Sequence, residues 1–296
     1  MYRFAVNYRL LITVSLGVLA SAGSICGAEP APVPGPDGWE PPLYGFCIET
    51  HDANKRSLPE QAQLLGELGF PGVGYPLWLD GNLERNLQTL DAAGLKVFLM
   101  HTAVNINPKE PPYDPRLRAA IRQLKGRPVT VCVLLRGFKP GDPQGEANAV
   151  TVLRQLGDIA AEAGLRISIY HHVNDWTESL LHALHVVRRV DHPQVGANLN
   201  LCHWLKIDGA RDYRPVLREH ADKIFAVTIN GAQVGSSTWT DGLIQPLDRG
   251  DFDNRQLLAT LREIGYRGPI GLMCYGIQGD ARAHLERSMK VWKSWE

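Results

Sequence analysis

Asn200 and His203 stand three residues apart in VGANLNLCHWL (Val195–Leu205), where an apolar run breaks into Asn, Cys, His and Trp. An imidazole in such a place can take or give a proton near neutral pH with little tuning. His171, in RISIYHH, and Glu49, closing YGFCIE, add two groups of similar use. His203, His171 and Glu49 are therefore candidate proton acceptors. His51, His101, Arg136, Tyr170, Trp176, Asn200, Asn230 and Tyr275 fall at or just after the ends of other apolar runs. Their amides and imidazoles suit hydroxyl groups, and their rings suit the flat faces of sugars. Arg136 or Asn230 could steady the oxygen of an enediolate. Arg136 could instead pair with Glu49 and satisfy both charges without chemistry. Trp78, Trp176, Trp204 and Trp239, if exposed, would equally serve a non-catalytic carbohydrate-binding protein.

These residues act together only if the fold gathers them. From Tyr44 onward, short apolar runs alternate with segments of helical spacing. The runs are 44–49, 72–78, 96–101, 128–136, 166–172, 195–203, 223–230 and 269–276, and each precedes a helical segment. Continuous rather than alternating hydrophobicity indicates parallel strands covered by helices. Eight strand–helix units in a chain of this length predict a single (β/α)8 TIM barrel over residues 43–296, with its active site at the C-terminal strand ends. An open doubly wound sheet is the second choice, but no Gly-rich phosphate loop follows the first strand. Ser57 and Glu60 form a capping box, with Pro59 in the first helical turn. Gly69, Gly94, Gly164 and Gly265 stand where left-handed helix caps are needed.

The first 28 residues read as a signal peptide: Arg3 and Arg9 precede the apolar stretch Leu10–Gly23, and Ala28 ends a small-residue cleavage site. A Pro-rich linker follows over 29–42. The mature protein is then periplasmic or secreted and has no membrane span after cleavage. Four cysteines would remain, Cys47, Cys132, Cys202 and Cys274. All lie in apolar runs and read as buried thiols rather than disulfides. Lys+Arg and Asp+Glu balance at 31 each, which gives no electrostatic reason to expect nucleic acid. Composition carries no signal for oligomeric state.

ISIYHHVNDWTES, VGANLNLCHWL, IQPLDRGDFD and GYRGPIGLMCYGIQGDARAHLERSMKVWK together resemble the xylose isomerase-like TIM barrels, the sugar phosphate isomerase/epimerase family. The resemblance covers the whole chain after the linker. In metal-dependent members, Glu, Asp, His and Glu on strands five to eight hold a divalent ion. The corresponding positions here are Tyr170, Asn200, Thr228 and Met273, while His203 matches a substrate-contacting His. Mn²⁺ or Mg²⁺ needs several anionic or carbonyl oxygens, so the family's ion is not expected. Zn²⁺ on His51, His101, His171 and His203 is the alternative metal. The resemblance implies an isomerase or epimerase that moves a proton next to a carbonyl of a small-molecule carbohydrate. A lyase acting on keto-glycosides and a non-catalytic carbohydrate-binding barrel are the alternatives. Export argues against a phosphorylated substrate.

Overall fold

The computed structural model describes residues 38–49 and 51–295. The expected signal peptide and the linker up to Asp37 lie outside the described residues.

Eight parallel strands pair in chain order and close on themselves. They are β1 (Leu43–Phe46), β2 (Gly72–Pro76), β3 (Lys96–Asn105), β4 (Thr130–Arg136), β5 (Arg166–Tyr170), β6 (Val195–Asn200), β7 (Ile224–Ile229) and β8 (Ile270–Met273). Closure is made by β1 against β8, with Leu43 opposite Ile270 and Phe46 opposite Met273. The helices are α1 (Leu58–Leu68), α2 (Leu83–Ala92), α3 (Leu117–Gln123), α4 (Glu146–Ala163), α5 (Leu180–Val190), α6 (Leu201–Ile207), α7 (Tyr213–Glu219), α8 (Asn254–Glu263) and α9 (Ala281–Lys293). The predicted (β/α)8 barrel is thus observed. Among the described residues no helix is long and apolar enough to cross a membrane.

Strand parity divides the core in two, because successive side chains point to opposite faces. On β5, Ile167 and Ile169 pack outward under the helices, while Tyr170 joins an inner cluster with Tyr44, Phe46, Leu134 and Met273. Each such side chain, fully buried, contributes roughly 1.5–3 kcal/mol. Gly271 makes room for this filling, since a Cβ there would stand 2.7 Å from the Tyr44 ring. At the start of α1, the Glu60 carboxylate accepts from the Ser57 amide at 2.7 Å. Such a cap is worth about 1 kcal/mol. Gly69, Gly94, Gly164 and Gly265 all have positive φ.

Two boundaries differ from expectation and both affect the mouth of the barrel. β3 runs on to Asn105, which pairs with Arg136, instead of ending at His101. β6 stops at Asn200, and the next residue opens α6, so His203 sits in the first turn of a helix rather than on a strand. Trp39 packs against the outer core and its indole N–H donates to the Tyr266 carbonyl at 2.6 Å.

Candidate functional site

At the C-terminal ends of the strands the barrel opens into a cavity of about 640 Å³. Glu49, His101, Arg136, Tyr170, His203 and Tyr275 all line it. They come from five strands or the turns that follow, plus the first turn of α6. His172, Cys47, Cys202 and Trp239 join them. Tyr275 stands 49% exposed at the entrance, with the His51 ring edge-on at 4.8 Å, so His51 supports the rim rather than the wall.

Four of the named residues do not reach the cavity. His171 is wholly buried behind it: its Nδ1 faces the Glu178 carbonyl at 3.4 Å, and its Nε2 accepts from the Asn200 amide at 3.2 Å. It positions the end of β6 and does not line the cavity. Asn200 donates from Nδ2 to the Tyr170 hydroxyl at 2.6 Å, and its Oδ1 accepts from the Cys202 thiol at 3.0 Å. Asn230 donates to the carbonyls of Gly231 and Leu243 and so anchors the loop after β7. Trp176 is buried, its indole N–H donating to the Asp142 carbonyl at 2.8 Å. Trp204 is likewise buried; Trp78 and Trp239 are half-buried. The expected row of exposed tryptophans is therefore absent at Trp176 and Trp204, where an indole between strand and helix gains more from burial than from solvent.

The partner of Arg136 is also different. Its Nε donates to Asp175 Oδ1 at 3.0 Å, and not to Glu49. Asp175 stands in the turn after β5, close enough to take the charge at little cost in chain reach. His172 lines the cavity and Asp175 holds Arg136, although neither is among the candidates that the strand ends supply. The signal for His172 was parity: Ser168 and Tyr170 face the interior, so His172 does so too and His171 cannot.

Burial sets the proton chemistry. The Glu49 carboxyl has its pKa raised by burial. Burial pushes His101 down to about 4, with help from the neighbouring His172 and Arg136 charges. His203 is held well below the ordinary imidazole value, again mainly by burial. Backbone contacts then select its tautomer: the Val173 amide donates to His203 Nδ1 at 3.4 Å. In a neutral ring the proton must therefore sit on Nε2, leaving His203 a donor and not an acceptor. His172 has the opposite arrangement. Its Nδ1 lies 2.8 Å from the Val173 carbonyl, which only accepts, so Nε2 of the neutral ring is free to take a proton. The two rings lie 4.2 Å apart. Trp239 closes over them, 5.3 Å from His203, on a loop that Lys206 holds through the Ser237 carbonyl.

The positions that the resemblance assigns to a divalent ion present a phenol, an amide, a hydroxyl and a thioether. The Tyr170 hydroxyl and both polar atoms of Asn200 are already engaged within the protein. This donor set does not fit a hard cation. Among the described residues no three His, Cys, Asp or Glu side chains converge as metal ligands, so the four histidines considered for Zn²⁺ do not form one group.

The profile of the xylose isomerase-like TIM barrels matches residues 62–295. A 3-dehydroshikimate dehydratase of Pseudomonas aeruginosa is 29% identical over 241 residues, which is 73% of this chain but 36% of that protein. The chain thus spans about a third of that relative's length. A Danio rerio protein whose name assigns it provisionally to the hydroxypyruvate isomerases is 23% identical over 262 residues, 80% of this chain and 90% of that one. The crystal structure of an Escherichia coli 3-keto-D-glucoside 4-epimerase superposes with a TM-score of 0.66 at 17% identity, over 86% of this chain and 98% of that one, a likeness of fold. The chain belongs to the family of xylose isomerase-like TIM barrels.

Proposed function

We propose that this barrel is a sugar isomerase or epimerase that moves a proton at a carbon beside a carbonyl of a hydroxylated substrate. Glu49 takes the proton, and the Nε2–H of neutral His203 donates to the oxygen that becomes negative. His172, four strands from Glu49 and so on the opposite side of the barrel, takes a proton from solvent on its free Nε2 and, as the imidazolium, returns it to the other face of the carbon. A buried neutral imidazole is suited to the donor role, because it strengthens as charge develops and needs no reorganisation. The observation that carries this reading is the pairing of a carboxyl of raised pKa with two histidines of opposite tautomer on one cavity.

A second reading shares its first step. Elimination also begins with proton loss beside a keto group, and the relative named as a dehydratase supports a lyase. The leaving hydroxyl would then take its proton from Nε2 of His172 in the imidazolium form, which the ring reaches by first accepting a proton from solvent. Neither route draws on the family's divalent ion, since the donor set at Tyr170, Asn200, Thr228 and Met273 does not suit one; elemental analysis of purified protein tests this. The proposal also keeps export to the periplasm or medium, and hence an unphosphorylated substrate. N-terminal sequencing of the extracytoplasmic form, expected to begin at Glu29, checks it.

Incubation in D₂O with a panel of ketoses and keto acids, followed by mass spectrometry, is the direct test. Deuterium should enter at the carbon beside the carbonyl. His203→Ala should slow that exchange about a hundredfold, as loss of an oxyanion donor does, and His203→Gln should recover part of it. Binding without exchange across the panel would favour a carbohydrate-binding barrel and end the enzymatic reading.

A further inference from the structure

Among the described residues, Arg136 is the only Lys or Arg side chain lining the cavity. Asp175 holds it at one point, through Nε, as Glu146 holds Arg189 at 3.0 Å, whereas Arg127 and Arg218 are held at two points. Arg127 sets both η nitrogens on Asp91, at 2.8 and 2.6 Å, and Arg218 sets Nε and an η nitrogen on Glu263, at 2.8 and 2.9 Å. Those are closed, two-point pairs. Arg136 gives Asp175 only its Nε, at 3.0 Å, and the side chain stays 54% exposed. Among the described residues neither of its η nitrogens bonds to the protein.

Asp175 is 8% exposed, so it grips the guanidinium from the protein side. The fork that remains is planar and permanently charged, on a side chain that lines the cavity, the arrangement that matches two carboxylate oxygens. The register of β3 with β4 places Arg136 at the last rung of the ladder, and Gly137, with a φ of 109°, turns the chain away directly after it. Arg136 stands three strands from Glu49 in one direction round the barrel and two from β6, which leads to His203. A carboxylate at Arg136 therefore lies away from the Glu49 carboxyl, which would repel it, while the rest of the molecule spans the cavity.

Resting on the proton-transfer reading, we propose that Arg136 is a carboxylate subsite and that the substrate is a hydroxylated keto acid rather than a neutral sugar. The acid group meets the two η N–H groups, and the carbonyl lies between Glu49 and His203. Asp175 is a positioning residue that keeps the fork turned to the cavity.

Matched pairs test it: hydroxypyruvate against dihydroxyacetone, and 2-keto-D-gluconate against D-fructose, each pair differing by a carboxylate in place of a hydroxymethyl group. Calorimetric titration of the full protein should find the acid of at least one pair bound about tenfold to a hundredfold tighter, as a charge-assisted hydrogen-bonded pair provides. Arg136→Gln should bring the ratio to about one, and Arg136→Lys should keep part of it. Equal affinities within both pairs, no binding of either acid, or a preference that survives Arg136→Gln would each overturn the subsite. Deuterium exchange separates the two claims. Exchange that persists without acid preference leaves proton transfer standing and removes the subsite; acid preference dependent on Arg136, with no exchange in any compound, does the reverse.

Discussion

From β5 to β8 the floor of the cavity is made by Tyr170 and Met273, with Asn200 and Thr228 behind them, and all four side chains are neutral and buried. From β1 to β5 the wall carries Glu49, His101, Arg136 and His172, which titrate or are charged. The resemblance places the family's ion on the first set. In this chain that half has become a packed floor, with Tyr170 hydrogen-bonded to Asn200 and set edge-on to Phe46 at 6.3 Å. The groups proposed to move protons lie instead on the other half and at His203. A barrel can make this exchange because its strands converge on one cup: losing ligands on one side leaves the opposite strand ends free to act.

The strongest way to break that contrast is Glu49→Gln. Loss of the proposed base should lower deuterium exchange by about a hundredfold or more, while the same change stabilises the fold at high pH. The sign follows from the raised pKa. A carboxyl whose folded pKa lies above its unfolded one favours the native state only while protonated, so its contribution is lost as pH rises through the folded value. The variant should melt higher than the parent at pH 8 and match it at pH 4. A drop in melting temperature at pH 8 would show that Glu49 is an ordinary structural carboxylate.

Asn200→Asp attacks the other half by returning the family's strand-six residue. The amide it replaces is fully buried and bonds Tyr170 and Cys202. A lone carboxylate there loses the donor and gains an uncompensated charge, which should cost about 3 kcal/mol in urea unfolding at pH 8 and less at pH 5, where it can take up a proton. Mn²⁺ or Mg²⁺ should restore nothing, since Tyr170, Thr228 and Met273 offer no partner carboxylate. A metal-dependent rise in melting temperature would overturn the account of this half.

Acid supplies a milder test of both halves at once. His101 and His171 are held down to about 4 and His203 well below 6.5, chiefly by burial. The unfolded chain binds these protons first, so stability present above about pH 6.5 should fall as pH drops toward 4. His284, on α9 and also held down to about 4, adds to the loss from outside the cavity. His101→Gln should flatten the melting curve over that interval, and an unchanged slope would mean that His101 titrates normally.

Much of this architecture was legible because each unit repeats one physical rule. Apolar runs such as PVTVCVLLR must be buried on both faces, and Gly69 or Gly164 must end a helix where φ is positive. The cavity lining was legible in part: Glu49, His101, Arg136, Tyr170, His203 and Tyr275 line it, whereas His171, Asn200, Asn230 and Trp176 do not. His171 and His172 are adjacent and alike, and only the inward parity set by Ser168 and Tyr170 tells them apart. Three residues at the start of α6 hold no periodicity, so the helical setting of His203 could not be read from spacing. The Arg136–Asp175 pair joins positions 39 apart through a turn, and nothing local in either segment announces it.

The smallest expected effect sharpens the comparison furthest. Thr228, on β7, is wholly buried and its hydroxyl has no hydrogen-bond partner. Ser168 and both polar atoms of the Asn198 side chain are in the same condition deeper in the barrel. A hydroxyl buried without a partner costs free energy, so Thr228→Val, nearly equal in shape, should leave stability unchanged or raise it by up to about 1 kcal/mol. It should also leave deuterium exchange within twofold, because Thr228 touches no proposed reacting group. Destabilisation by more than about 1 kcal/mol would mean that ordered water satisfies Thr228, Ser168 and Asn198 together. The floor from β5 to β8 would then be a hydrated polar network rather than a packed and inert one, and the division between the two halves of the mouth would have to be drawn at the water instead of at the strands.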